Sequence, residues 1–440
     1  MSTPTPAPFA IETRWSRPLI ADSGGETLLL VRITGVAATS GTRRAPVDVA
    51  LVIDRSGSMS GEKIGSARQA VDTALDRLQD DDRVALVAFD DRIEIVHELA
   101  HATGSARIEM RRRLRNVDAR GSTDLGGGWL AGCNELASMM RPGDGRIHRA
   151  ILLTDGQANV GIVDAGELSH HAGQLRARGI STTTLGFGLG FDEQILSAVA
   201  EAGGGNFEFV AHPRQLSPFF ARELGELLQT VATGLTVAFT MTDGLRGHLL
   251  SAYPHERTGR TITIDIGDLP AGETIDLVFR VTTIAGASGE ILPASVHAAW
   301  TEPGSGVAGT VDQATTPVMR AARAMVESIA EDAIVAERSA LLLAADARRE
   351  AMRLDRAGDH RGSRQRMAMA YDAVMAAPMT DDVRDEMQIM GRMMEAPQDM
   401  AWSEDVHKSG AASASRRARG RGVPPTPKTP SPAPDPRDVS

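Results

Sequence analysis

Asp54, Ser56 and Ser58 stand at alternate positions directly behind the apolar run of residues 47–53. A buried strand there would deliver one carboxylate and two hydroxyls into the loop that follows it. Small hard oxygens at the carboxyl end of a strand suit a divalent cation. Mg2+ takes octahedral oxygen coordination at about 2.0–2.1 Å and keeps several waters. Three such side chains cannot fill that shell, so other loops must contribute. Thr123, in Gly121-Ser122-Thr123-Asp124, and Asp155, in Thr154-Asp155-Gly156 behind a second apolar run, are the candidates. The five donors comprise three neutral hydroxyls and two carboxylates. They balance a divalent charge and leave at least one position open.

Asp-x-Ser-x-Ser, then a threonine in a Gly-Ser-Thr-Asp turn, then Thr-Asp-Gly behind a strand, resembles the von Willebrand factor A (VWA) domain and its metal-ion-dependent adhesion site (MIDAS). Thr184-Leu185-Gly186-Phe187-Gly188-Leu189-Gly190-Phe191-Asp192-Glu193 and Ala202-Gly203-Gly204-Gly205-Asn206-Phe207 are similar to the last third of bacterial members. The resemblance implies that Asp54, Ser56, Ser58, Thr123 and Asp155 hold Mg2+, with Mn2+ or Ca2+ as alternatives. Ser56, Ser58 and Thr123 would bind directly. The two acids would bind directly or through water and orient the hydroxyls. The family's open position takes an Asp or Glu carboxylate from a partner protein. Neutral hydroxyl ligands leave the ion electrophilic, so such a carboxylate would complete both charge and shell.

Neighbouring residues read differently. Arg55 either steers an acidic partner or is a solvated loop residue. Asp124 reads as the cap of the helix that follows it rather than as a ligand. His170 and His171 are adjacent on a predicted helix, point in different directions and cannot chelate one ion together. Cys133 lies among apolar helix residues and reads as a small core side chain. The glycines at 186, 188 and 190 lack the dinucleotide fingerprint and its place after a first strand, and no P-loop motif occurs.

These residues need a scaffold. Residues 45–231 alternate strand and helix patterns, which predicts an α/β, doubly wound, mostly parallel Rossmann-like sheet with helices on both faces. Helices are predicted at 62–78, 107–115, 125–140, 165–178 and 213–231. Residues 232–315 carry strand patterns with no helix between them, predicting antiparallel structure. An orphan strand at 26–34 most simply completes it, so the α/β domain is predicted to be inserted in a β-sandwich formed by 11–44 and 232–315. The inter-alpha-trypsin-inhibitor heavy-chain type is similar in this respect. Residues 316–400 predict a small helical domain holding most of the chain's 18 methionines. Met fills irregular cores and also lines adaptable grooves; the core reading is preferred. Residues 1–10 are expected to be loose. The Pro-rich, basic stretch 401–440 is expected to be a disordered tail, whose Arg416, Arg417, Arg419 and Arg421 either touch phosphates or an acidic protein surface or, the preferred reading, are solvated.

Composition narrows the function. The hydrophobic fraction of 42% supports real cores, and a formal net charge of −10 argues against nucleic acid or anionic membranes as partners of the core. A single cysteine permits no internal disulfide, which fits a reducing compartment. No basic-then-apolar leader stands at the N-terminus and no run reaches the ~18 apolar residues of a membrane span, so the expectation is a cytoplasmic, bacterial-type binding protein. Two alternatives stay open: a Mg2+-assisted phosphoesterase, for which the metal loops offer no Lys, His or Cys as base and only more distant residues brought in by folding could serve, and a scaffold subunit for an AAA+ ATPase of the chelatase-like kind.

Overall fold

The structure is a computed structural model and describes residues 7–36, 44–141, 143–395, 397 and 400–421. Three strands open it: β1 (Phe9–Trp15), β2 (Leu19–Ala21) and β3 (Gly25–Gly35). The α/β unit follows as β4 (Val47–Asp54), α1 (Glu62–Arg77), β5 (Arg83–Phe89), β6 (Ile93–His101), α2 (Gly104–Leu114), α3 (Leu125–Met139), β7 (Ile147–Thr154), α4 (Ala165–Ala177), β8 (Ile180–Phe187), α5 (Glu193–Ala202), β9 (Gly204–Val210) and α6 (Leu216–Leu228). The chain then returns to strands: β10 (Thr230–Met241), β11 (Leu245–Leu249), β12 (His255–Thr258), β13 (Thr261–Pro270), β14 (Thr274–Thr283), β15 (Ile291–Leu292), β16 (Ala294–Thr301), β17 (Ala308–Ala314) and β18 (Val318–Ala321). It closes with α7 (Arg323–Ser328), α8 (Ala333–Arg356), α9 (His360–Met375), α10 (Asp381–Met394) and α11 (Glu404–Ala418).

The strands β4, β5, β7 and β8 are buried at every residue. Strands buried along their whole length in this way are parallel strands covered on both faces. The sheet order is β6-β5-β4-β7-β8-β9, with only β6 antiparallel. One face packs on α1, α2 and α6. The other packs on α3, α4 and α5. Strand order reverses between β4 and β7, and ligand sites in open α/β sheets form at the carboxyl ends of the strands at such a switch.

The orphan strand does complete a sandwich. β3 lies between β1 and β14 in one sheet, and β12-β13-β10-β16-β17 form the second. Their inner faces share one apolar core with Phe239, Phe279 and Ile264 at its centre. The sandwich is larger than expected at both ends. Phe9 and Ala10, expected to be loose, start β1 and pair with Gly35 and Thr34. Val318–Ala321, assigned to the helical part, is a strand that pairs with β2. Residues 1–6 lie outside the described residues.

The helical part has its own core, in which Met352, Met367, Met390 and Met393 are buried. Met369, Met375, Met379 and Met400 are exposed.

The larger correction concerns the basic stretch. Residues 404–418 form α11, and Lys408, Arg416, Arg417, Arg419 and Arg421 are all buried. Arg417 meets Glu386 of α10 at 3.4 Å, Arg419 donates to the Gly205 carbonyl at 2.8 Å, and Arg421 meets Glu273 at 3.5 Å. Each acceptor comes from a different unit. Local composition reads such a segment as solvated because the acids that neutralise it are far away in sequence. The proline-rich residues 422–440 lie outside the described residues.

Candidate metal centre

Asp54 is the last residue of β4 and is fully buried. Its Oδ1 accepts from the Ser56 amide at 2.7 Å, which curls the loop back over the strand end. Its Oδ2 accepts from Thr154 Oγ1 at 2.5 Å, tying β4 to β7. Ser56 Oγ and Ser58 Oγ lie 3.0 Å apart, and Ser58 Oγ donates to Asp155 Oδ1 at 2.7 Å. Thr123 arrives from the loop before α3. Its amide donates to Asn159 Oδ1 at 2.8 Å, and its carbonyl accepts from the amides of Asn159 and Val160. Asp124 accepts from the Gly127 amide at 2.9 Å and caps α3, as the sequence suggests.

All five candidate donors therefore meet at the switch point of the sheet. Gly156 shows how they surround a common space. A Cβ built there would lie 3.2 Å from Thr123 Oγ1, 3.4 Å from Ser58 Oγ and 3.7 Å from Asp54 Oδ2. Glycine leaves that cradle to the three oxygens. Among the described residues no group of three or more His, Cys, Asp and Glu forms a metal-holding cluster. The centre has only two carboxylates, and its other donors are hydroxyls. This donor set fits a hard divalent cation and gives it no soft ligand.

The electrostatics are consistent with a place for positive charge. Burial pushes the Asp54 carboxyl up from 3.8 to about 6, and the Asp155 carboxylate adds to the rise; hydrogen bonds from Thr154 and Ser56 only partly oppose it. Lys63, in the first turn of α1, pairs with Asp155 Oδ2. Its ammonium also lies 5.8 Å from the centre of the Phe187 ring. Sequence reasoning does not single this residue out. The missing signal was geometric: Lys63 lies beyond the loop, and only the start of α1 turns it back onto Asp155.

Arg55 corrects another expectation. It is neither solvated nor directed at a partner. Its Nε reaches Asp90 Oδ2 at 3.0 Å and its Nη1 reaches Glu94 Oε2 at 2.6 Å. Arg120 joins the same Asp90 oxygen at 2.7 Å. Burial would raise the Asp90 carboxyl, but Arg120, the Arg92 amide and Arg55 outweigh it and hold it below its ordinary value. Backbone bonds run alongside, from Arg55 N to Phe89 O at 2.8 Å and from Arg120 N to Arg55 O at 2.7 Å. Gly121, at φ +69°, closes the turn where a Cβ would strike the Asp91 carboxylate.

Other candidates fall away from the site. Burial pushes the Cys133 thiol up to about 12, as befits a core residue. His170 bonds to Gln174 at 2.9 Å on the exposed face of α4. A cavity of about 610 Å³ lies at the opposite ends of the strands. Its arginines include Arg146 and Arg176, matched to Asp48 and Asp265 at 2.7 Å each.

A parallel sheet wrapped on both faces, with this donor set at its switch point, defines a class. Residues 48–222 match the von Willebrand factor type A domain, and this part of the chain is such a domain. Domains of this family commonly hold a divalent metal at the MIDAS position. Over 214 residues the chain is 30% identical to an uncharacterised protein of Synechocystis sp., covering 48% of each chain. It is 25% identical over 287 residues to the uncharacterised protein YfbK of Escherichia coli, covering 63% of this chain and 48% of that one. It is also 29% identical over 207 residues to human inter-alpha-trypsin inhibitor heavy chain H4, covering 46% of this chain and 22% of that one. The chain thus spans about half the length of the two bacterial relatives. In fold, it is similar to a von Willebrand factor type A protein from Catenulispora acidiphila (TM-score 0.75, 19% identity, 96% of this chain and 99% of that one). It is also similar to the ArnB paralog VWA2 of Sulfolobus acidocaldarius (TM-score 0.62, 16% identity, 94% and 100%). No helix among the described residues is long and apolar enough to cross a membrane.

Proposed function

We propose that the chain is a metal-dependent protein-binding module and not an enzyme. The observation that carries this reading is the convergence of Asp54, Ser56, Ser58, Thr123 and Asp155 around the space that Gly156 leaves open. These residues would hold Mg2+, or Mn2+ or Ca2+, and the bound ion would supply an electrophilic position for an Asp or Glu side chain of a partner protein. Ser56 and Ser58 orient each other's hydroxyls, Thr154 fixes one oxygen of Asp54, and Lys63 fixes one oxygen of Asp155. The inward face is thus set before any ligand arrives, which reduces the ordering cost of binding. Lys63 already occupies an acceptor of Asp155, and among the described residues no histidine or cysteine bonds to these side chains.

Gly156→Ala tests the reading without replacing a donor. The added methyl group enters the cradle at a backbone position that tolerates it. Calorimetry should show divalent uptake by the wild type and none by the variant, with equal circular dichroism. Capture of partners from lysate should require Mg2+ or Mn2+ and fail in EDTA. Identical capture in EDTA and in excess Mg2+ would sink the proposal.

A further inference from the structure

The loop of residues 188–192, which follows β8, runs beside Asp155 and Lys63 at the edge of the candidate site. Gly190 passes so close to Asp155 that a Cβ at this position would sit 2.6 Å from the Asp155 carbonyl oxygen. Gly188, at φ +71°, lies beside Lys63, where a Cβ would come within 3.8 Å of Nζ. Phe191 is buried with its ring against Gly186, the β8 residue that pairs with Thr154 of β7. Asp155 and Lys63, which neutralise each other, thus touch the same short loop.

The outer side of that loop is held by a residue 217 positions further along the chain. Lys408 of α11 donates to the Phe191 carbonyl at 2.7 Å, and its ammonium lies 4.3 Å from the centre of the Phe191 ring. It also meets Glu193 at 3.1 Å and Glu404 at 3.2 Å. Arg356 of α8 joins the group, at 2.7 Å from Glu193 and 2.6 Å from Glu404. Lys408 is 1% exposed. A buried ammonium deprived of its acceptors is strongly unfavourable, so this contact is made fully or not at all.

We infer that Lys408 is a positioning residue for the metal site: α11, from outside the A-type domain, fixes the 188–192 loop and through it Asp155 and Lys63. The inference rests on the reading of the site given above. Coupling of this kind is reciprocal. A ligand that completes the site tightens the contact of Lys408 with the loop, and loss of that contact weakens the site.

Two variants of the full chain test it. Lys408→Met removes the grip on the loop. Arg417→Met removes the α11 anchor to Glu386 and Asp382 of α10, which touches neither loop nor site. Amide hydrogen exchange is followed in EDTA, and Mn2+ and Mg2+ uptake is measured by calorimetry. Lys408→Met should speed exchange several-fold at residues 154–156 and 188–192 and lower divalent affinity on the order of 10-fold, the scale of losses behind a ligand shell. Arg417→Met should lower the melting temperature yet leave both readouts at wild-type values. Unchanged exchange and affinity in Lys408→Met overturns the inference. So does an equal shift in both variants, which would mark general loosening. A wild type that takes up no divalent ion refutes the reading of the site itself, and exchange in EDTA then still decides whether Lys408 sets the loop.

Discussion

Asp54 carries a cost that its site explains. In EDTA the folded carboxyl keeps its proton up to about pH 6, whereas the unfolded chain releases it near 3.8. The folded state therefore binds more protons across that window, and its stability falls as pH rises through it, by up to about 3 kcal/mol. Asp54→Asn removes this titration. The variant should melt higher than the wild type at pH 7.5 in EDTA, by a margin that shrinks toward pH 4, and should show no stabilisation by Mn2+. Equal margins at pH 4 and pH 7.5 would contradict the assignment. Lys63 acts in the opposite sense. Its ammonium shares Asp155 with any incoming cation and is partly exposed. Lys63→Met should tighten divalent uptake by roughly two- to fivefold, the worth of a part-exposed ion pair, and high salt should narrow the difference. Weaker uptake in the variant would mean that Lys63 serves mainly to orient Asp155.

At the scale of elements, the site depends on three loops being held in register. β4 and β7 bring Asp54 and Asp155 together because their apolar runs stack in one parallel ladder. The loop after β4 is then fastened to the β5–β6 turn by Arg55 and Asp90, both buried. Removing one member of a buried pair leaves an uncompensated charge. Arg55→Met should therefore destabilise the protein by about 3 kcal/mol, read from urea unfolding. Glu94 is half exposed, so Glu94→Gln should cost less than about 1 kcal/mol. Equal effects would show that Asp90 is not the partner that matters. The spacing of Asp54, Ser56 and Ser58 was legible in the sequence because a strand and its loop are contiguous. The role of Arg55 was not, because Asp90 and Glu94 become its neighbours only when β5 pairs beside β4.

Across the whole molecule, α11 joins what the chain order separates. It touches α5 and β9 of the A-type domain through Lys408 and Arg419, α10 through Arg417, and the sandwich through Gly420 and Arg421. Gly420, at φ +67°, lies against the Asp276 backbone, where a Cβ would sit 2.1 Å from the carbonyl oxygen. A chain ending at Trp402 should lose this link. Its unfolding should separate into two transitions by differential scanning calorimetry, against one for the intact chain. A single transition at the original temperature would show that α11 is peripheral.

The alternation of strand and helix in the central domain, the inserted sandwich and the five candidate oxygens were readable from the residues and the family they resemble, because periodicity and strand-end chemistry are properties of neighbours in sequence. Folding decided which charges neutralise one another. Lys63 on Asp155, Arg55 on Asp90 and Lys408 on the Phe191 loop join residues up to 217 positions apart. The strength of such pairs depends on burial and distance, and neither exists until the sheet, the sandwich and the helices have closed around them.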